Sequence, residues 1–126
     1  MTKRLFLLLP IVLLAGCAAR FTNLTPQQFV RSETHLYPFE VALKSSQQTL
    51  VWPSIQPYVV VGSDLYPMRL QPLMTNRWEA FVPVPATQNL VHYRFKFDYL
   101  VNTIGPRKPD SASSQTYSLR LLDAQQ

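Results

Sequence analysis

Cysteine, glycine and charged residues are all scarce in this chain of 126 residues, which has one cysteine, three glycines and 15% charged residues. A single cysteine cannot form a disulfide framework or a cysteine-based zinc site within one chain. Three glycines are too few for the glycine-rich loops that hold phosphate groups. Because 47% of the residues are hydrophobic and charge is low, the composition argues against disorder and predicts one folded domain.

Long hydrophobic runs are also lacking. The apolar stretch at residues 5–14 is about ten residues long, whereas a helix needs about twenty to cross a bilayer. It follows the basic pair Lys3 and Arg4 and precedes the small residues Ala15 and Gly16. This order is typical of a secretory signal peptide, and we predict that residues 1–16 form one.

The residues Leu14-Ala15-Gly16-Cys17 resemble the lipobox of bacterial lipoproteins. The resemblance implies that the Cys17 thiol carries diacylglycerol, that cleavage occurs before Cys17, and that the new amine is acylated, for example with palmitate. Membrane lipid would then be a partner through the acylated Cys17. In such lipoproteins, Ala18 and Ala19 in place of an aspartate imply the outer membrane. The alternatives are an ordinary signal peptide with a chance cysteine, or a short buried helix in a cytosolic protein.

Removal of residues 1–16 would leave ten Lys and Arg residues against seven acidic residues, a net charge of +3. The bases are scattered apart from Arg107 and Lys108, so we expect no nucleic-acid partner. No Gly-x-Ser-x-Gly elbow, paired carboxylates or metal-type histidine spacing is present. An enzyme would need His35 or His92 beside a carboxylate. We predict a non-enzymatic protein with no catalytic residues, metal or cofactor.

Much of the chain after Cys17 has the period of two that is typical of β-strands. The clearest case is residues 91–101, where one face carries Val91, Tyr93, Phe95, Phe97, Tyr99 and Val101. Residues 77–84 alternate as well, with Trp78 inward and Phe81 outward. Further strands are predicted at residues 36–43, 49–52, 56–61, 65–70 and 115–122. Residues 103–114 are rich in Pro and Ser and are predicted to form a loop.

Several short strands without a long helix predict an all-β fold. We expect an immunoglobulin-like antiparallel β-sandwich over residues 36–126, with a small β-barrel as the alternative. Residues 17–35 are predicted to be a lipidated tether and lead-in segment. Within it, Thr25-Pro26 and the glutamines that follow have the pattern of a helix start, so a short helix is predicted at about residues 26–31.

Three segments between residues 58 and 97 resemble the core of starch-binding and glycogen-binding modules, which are immunoglobulin-like domains. They are Tyr58-Val-Val-Val-Gly-Ser-Asp-Leu65, Arg77-Trp-Glu-Ala-Phe-Val-Pro-Val-Pro85 and His92-Tyr-Arg-Phe-Lys-Phe97. The resemblance implies the sandwich fold and a glycan site in which exposed tryptophans hold the sugar. The tryptophans of this chain are Trp52 and Trp78.

Aromatic residues near predicted turns or at outward positions are the candidates for ligand contact. They are Trp52, Tyr58 and Tyr66, together with Phe81, and the alternative is that most of them fill the core. Our leading hypothesis is a lipid-anchored cell-envelope module that binds an envelope protein or assembles with it. The second hypothesis is a carbohydrate-binding surface lipoprotein. An apolar patch or free sheet edge favours a protein partner, and a coplanar aromatic pair with polar neighbours favours a glycan.

Overall fold

A computed structural model describes residues 19–123, and this part of the chain contains ten β-strands and no helix. The strands form two sheets, one of four strands and one of six. In chain order they are β1 (Ala19–Asn23), β2 (Gln28–Val30), β3 (Leu36–Ser45), β4 (Leu50–Val61), β5 (Asp64–Pro67), β6 (Arg69–Leu70), β7 (Arg77–Pro83), β8 (Leu90–Val101), β9 (Lys108–Ser113) and β10 (Tyr117–Leu122).

The four-stranded sheet has the order β1-β3-β7-β6 and is antiparallel throughout. Its central pair, β3 and β7, places Phe39 opposite Ala80 and Val41 opposite Trp78. These side chains are buried, and their neighbours along each strand point outward. The alternation predicted for residues 77–84 is confirmed, and it gives this sheet one apolar face.

The six-stranded sheet has the order β2-β10-β8-β4-β5, and β9 pairs with the second half of β8. All pairs are antiparallel except β2 with β10. In the long pair of β4 and β8, Val59 lies opposite Phe95 and Pro57 opposite Phe97. Each of these residues is buried, so the alternation predicted in residues 91–101 is confirmed.

The core lies between the two apolar faces. Its central aromatic rings meet edge to face, with 4.7 Å between the Phe39 and Tyr93 centroids and 5.2 Å between Trp78 and Phe97. Such contacts stabilise a core beyond the burial of apolar area alone. Neither sheet closes on itself, so the structure is an all-β sandwich and the barrel alternative is wrong. The finer immunoglobulin-like assignment stays a prediction.

Two local predictions are wrong. The helix at about residues 26–31 is absent, because Gln28–Val30 pairs with β10 as strand β2. The loop at residues 103–114 contains strand β9, which pairs with β8 over six residues. The described part of the predicted tether, residues 19–35, contributes edge strands to both sheets.

Two strand boundaries also differ from prediction. The strands predicted at residues 49–52 and 56–61 are one strand, β4, with an irregularity between Val51 and Gln56. There, the Ser54 hydroxyl donates to the Val51 carbonyl at 2.5 Å and accepts from the Leu100 amide at 2.8 Å. The strand predicted at residues 65–70 divides at buried Met68, so that β5 and β6 belong to different sheets.

The sandwich has two ends, which we name by one residue each. At the Ser45 end, the start of β1 meets the end of β3 and the loops of residues 46–49, 71–76 and 102–107. At the His35 end are the connections at residues 31–35, 62–63 and 84–89. Among residues 19–123 there is no helix long and apolar enough to span a membrane.

Candidate functional site

The N-terminal strand is held firmly from its first residue. Cys17 and the predicted signal peptide, residues 1–16, lie outside the described residues. Strand β1 begins at Ala19, opposite Ser45, and remains paired with β3 through Asn23. The Phe21 ring packs edge to face on Phe97, with 4.9 Å between centroids. The chain therefore enters the folded sandwich two residues after Cys17.

Trp52 lies beside an apolar groove near the Ser45 end. The irregular part of β4 turns this side chain out of the ladder, and it is 38% exposed. The groove has a volume of about 460 Å³, and its apolar lining is formed by Pro53, Ile55, Pro57, Met68, Leu70 and Trp78. Leu70 is about half exposed. Such a groove suits an apolar side chain better than the polar edge of a sugar.

Tyr58 lies on the outer face of the six-stranded sheet. Its ring centroid is 5.9 Å from Lys96 Nζ, and its hydroxyl donates to Gln56 Oε1 at 3.4 Å. Lys96 also forms an ion pair with Asp98 at 2.9 Å. Gln56 and Asp98 line an open groove of about 800 Å³ that continues to Ser111 in β9. The surface around Tyr58 is polar, and the groove beside it is also lined by Tyr99.

Tyr66 points inward, because its partner across the β4–β5 ladder is the buried residue Val59. Its ring packs against the core and lines a cleft of about 490 Å³ at the His35 end. The three candidate aromatics thus lie in three separate places. Within residues 19–123, none of the aromatic ring contacts joins two of them. The coplanar aromatic pair that would favour a glycan is not formed by Trp52, Tyr58 and Tyr66.

An exposed apolar patch on the four-stranded sheet was not predicted as a unit. It lies on the outer face, toward the His35 end, where Leu36 is opposite Pro83 and Pro38 is opposite Phe81. Phe81 is 51% exposed and Leu36 is 44% exposed. We call these four residues the Phe81 patch. The alternation of β7 placed Phe81 outward, but only the pairing of β7 with β3 brings the four residues together.

Polar groups border the Phe81 patch. Glu79 accepts a hydrogen bond from Arg69 at 3.3 Å, and Glu40, opposite Glu79, accepts one from Gln71. An apolar centre with a polar border is the usual organisation of a protein interface. At the sheet edges, Pro67 in β5 and Pro109 in β9 each lack an N–H group, which hinders addition of a further strand.

The two histidines lie in different environments. His92 Nδ1 is 2.9 Å from the Ser118 hydroxyl on the exposed face of β8. His35 has a left-handed backbone, with φ at 60°, and lines the same cleft as Asp64 and Tyr66. No hydrogen bond or ion pair joins a histidine to a carboxylate within residues 19–123. In the same range, no group of three His, Cys, Asp or Glu residues is placed to hold a metal ion.

Two tyrosines have shifted acidities. Burial raises the pKa of the Tyr93 hydroxyl, and this effect outweighs the opposing hydrogen bond from Asn23 Nδ2, which donates to it at 2.8 Å. Burial also raises the pKa of Tyr99, with a smaller contribution from the negative charge of Asp110. The Asn23–Tyr93 bond connects the two sheets where β1 ends, so its clearest role is to hold the sandwich together.

Comparison of the chain with protein-family models, curated proteins and solved structures gives no match.

Proposed function

We propose that the protein is a lipid-anchored, non-enzymatic module of the bacterial cell envelope that binds an envelope protein. Acylated Cys17 would hold it in the outer membrane, and the Phe81 patch would contact the partner. The observation that carries this proposal is the Phe81 patch itself, because it places four apolar side chains together on the outer face of a sheet.

The anchor rests on the residues before the sandwich. A basic start, a short apolar run and Leu14-Ala15-Gly16-Cys17 together indicate lipoprotein processing. Two or more acyl chains give stable anchoring, whereas a single chain binds a membrane only weakly. The strand that begins at Ala19 supports a role for Cys17 as an attachment point, because a chain anchored there would hold the folded domain close to the bilayer.

The Phe81 patch has the properties of a protein contact. Pro38 and Pro83 are rigid, so burial against a partner would cost little backbone entropy there. Phe81 and Leu36 supply the apolar area, since both are about half exposed before any partner binds. Aromatic side chains at the centre of an interface contribute strongly to affinity, and the charged border excludes water and selects the partner.

Site-specific photocrosslinking in intact cells tests this proposal with the full chain. A photoreactive phenylalanine analogue at position 81 should form one discrete protein adduct, and Leu36→Ser in the same chain should abolish it. The matched control is the analogue at position 65, since Leu65 is similarly exposed on the other sheet at the same end. No adduct at position 81, or equal adducts at both positions, would contradict a partner at the patch.

One specific observation supports the carbohydrate hypothesis. Tyr58 presents a ring beside Lys96, Asp98 and Gln56 along an open groove, and a sugar could stack on that ring while polar groups bind its hydroxyls. Retention on immobilised polysaccharide separates the two hypotheses. Retention that falls with Tyr58→Ala or Trp52→Ala, but not with Leu36→Ser, would favour the glycan.

A further inference from the structure

Positive charge is concentrated at the Ser45 end of the sandwich. Half of the ten Lys and Arg residues after Cys17 lie there, and all five are exposed: Arg20, Lys44, Arg77, Arg107 and Lys108. The ion pairs of the described chain are Arg31–Asp123, Arg69–Glu79 and Lys96–Asp98, so none involves these five bases. The nearest carboxylate along β9 is Asp110, two residues beyond Lys108. This end therefore presents positive charge that the neighbouring side chains do not neutralise.

One pair of these bases occupies positions that are unfavourable for the stability of a β-sheet. Arg20 in β1 lies directly opposite Lys44 in β3. Like charges at directly opposed positions repel each other and destabilise a strand pair. None of the ion pairs within residues 19–123 places a carboxylate beside Arg20 or Lys44. An anionic surface outside the protein would remove this repulsion.

The same end carries two apolar side chains that contact little else. Leu73 in the loop of residues 71–76 and Ile104 in the loop of residues 102–107 are fully exposed, at 103% and 109%. Leu73 also has a left-handed backbone, with φ at 65°. A bulky residue is rarely found in this conformation, where Asn and Gly are favoured. Folding therefore gains little from a leucine at position 73.

Three of the seven acidic residues lie at the opposite end. Glu33, Asp64 and Asp123 lie in or beside the connections at the His35 end. An anionic surface would attract the Ser45 end more strongly than the His35 end, where Arg31 pairs with Asp123 and Arg120 is a further base. The charge distribution therefore defines one orientation of the sandwich on such a surface.

The position of Cys17 identifies the surface. Two extended residues span at most about 7 Å, so a bilayer holding the Cys17 acyl chains would lie within that distance of Ala19 and its partner Ser45. Anionic head groups complement exposed bases, and single exposed apolar side chains insert among lipids at the interface. Trp52, in the groove that Thr75 also lines, lies beside the same end and is of the type enriched at membrane interfaces.

We infer that the Ser45 end docks onto an anionic bilayer surface, with Leu73 and Ile104 inserted and the bases against head groups. This docking rests on the proposed acylation of Cys17. The anchor alone would hold the domain near the bilayer, and the docking would also fix the orientation of the domain. The Phe81 patch then lies on the side of the sandwich, toward the end that is far from the membrane.

Nitroxide labelling of the reconstituted lipoprotein tests the docking. Acylation blocks the Cys17 thiol, so Ile104→Cys introduces the single reactive thiol of the chain. In vesicles containing phosphatidylglycerol, a label at position 104 should be protected from a water-soluble relaxing agent and accessible to oxygen. The matched control is Leu65→Cys at the other end, where the label should remain exposed to water. A label at position 104 that is as exposed as the control would overturn the inference.

Two substitutions separate the charges and the apolar side chains. Lys108→Gln should raise the water exposure of the label at position 104, because each base near an anionic surface changes binding by about fivefold, whereas Arg120→Gln at the far end should not. Leu73→Asn suits the left-handed backbone, so it should fold normally and still weaken the docking. Equal effects of Lys108→Gln and Arg120→Gln would contradict charge-directed docking.

The mass of the same reconstituted sample distinguishes the two proposals. An unacylated Cys17 would refute the anchor and, with it, this inference. An acylated protein whose label at position 104 stays exposed to water would refute the docking and leave the anchor in place.

Discussion

Truncation of Phe95 provides a direct test of the strand register. Phe95 lies at the middle of β8, opposite Val59, and its side chain is fully buried. Its ring lies 5.6 Å from that of Tyr93 and 5.9 Å from that of Tyr117, measured between centroids. A Phe95→Ala substitution therefore leaves a cavity between well-packed rings that the fixed strands cannot close.

The expected loss is large relative to the stability of a small domain. Replacing a buried Phe by Ala costs about 3–5 kcal/mol, from the lost burial and the cavity together. Domains of this size unfold with a free energy of about 5–15 kcal/mol. With a urea dependence of about 2 kcal/mol per molar, the unfolding midpoint should fall by about 2 M.

Urea unfolding of the full chain in detergent, followed by tryptophan fluorescence, measures this shift. Trp78 is a suitable reporter because it is buried against Phe97. The control is His92→Ala, an exposed position on the same strand, which should change the free energy by about 0.5 kcal/mol or less. If Phe95→Ala unfolds at the wild-type midpoint, or if His92→Ala is the more damaging variant, the register of β8 is wrong.

The other predictions concern a turn, a buried hydroxyl and the anchor. Gly62 has a left-handed φ of 61°, so Gly62→Ala should lower the free energy of unfolding by about 1 kcal/mol in urea. The control is Gly105→Ala, where a Cβ also meets no neighbour but the φ is not left-handed, and this variant should lose less. Burial raises the pKa of Tyr93, so the unfolded chain loses the hydroxyl proton at a lower pH than the folded protein does. The protonated Tyr93 therefore contributes fully to the free energy of unfolding below about pH 10, and this contribution is lost as the pH rises through the folded pKa. Tyr93→Phe should therefore make the fall in stability above about pH 10 shallower in alkaline unfolding titrations, and an unchanged slope would contradict the shift. Cys17→Ser should abolish metabolic lipid labelling and leave an uncleaved or soluble product, and unchanged membrane retention of a processed product would contradict the anchor.

The parts of the fold that sequence could predict are those in which alternation and burial agree. In β7 and β8, most apolar residues of the alternating pattern belong to the core cluster, where Trp78 contacts Phe97 of the facing sheet. Local pattern and tertiary packing then favour the same conformation. The order of the strands required pairing information that no local pattern contains.

The failures arise where tertiary pairing opposes a local signal. Thr25-Pro26 has the pattern of a helix start, but the Thr25 hydroxyl bonds to the Glu40 backbone, accepting from its amide at 3.0 Å. The next residues then pair with β10. Strand β9 has loop-like composition, with Pro109 and several serines, and is a strand because β8 offers it a free edge. Local propensity is too weak to resist such pairing.

The candidate sites were predictable only as single residues. The outward position of Phe81 follows from alternation, but its neighbours Leu36 and Pro38 lie 45 and 43 residues earlier in the chain. Tyr66 is a candidate for ligand contact because it lies near a predicted turn, and its register opposite Val59 turns its ring toward the core, where it lines the cleft at the His35 end. A binding surface on a sheet is a property of cross-strand register, and register depends on the whole sheet.

The short connection between Cys17 and β1 links the membrane proposal to the partner proposal. The Phe81 patch begins at Leu36, nine residues of β3 away from Ser45, which corresponds to about 30 Å along the strand. A long flexible tether would let the domain tumble, and a partner could meet the patch at any height. With only Ala18 between Cys17 and a paired strand, an anchored domain would have little freedom, and docking of the Ser45 end would remove most of what remains. A partner held by the Phe81 patch would then lie about 30 Å from the bilayer. Substitutions at Lys108 should therefore alter the orientation of the domain on the membrane, whereas substitutions at Leu36 should alter the contact with the partner.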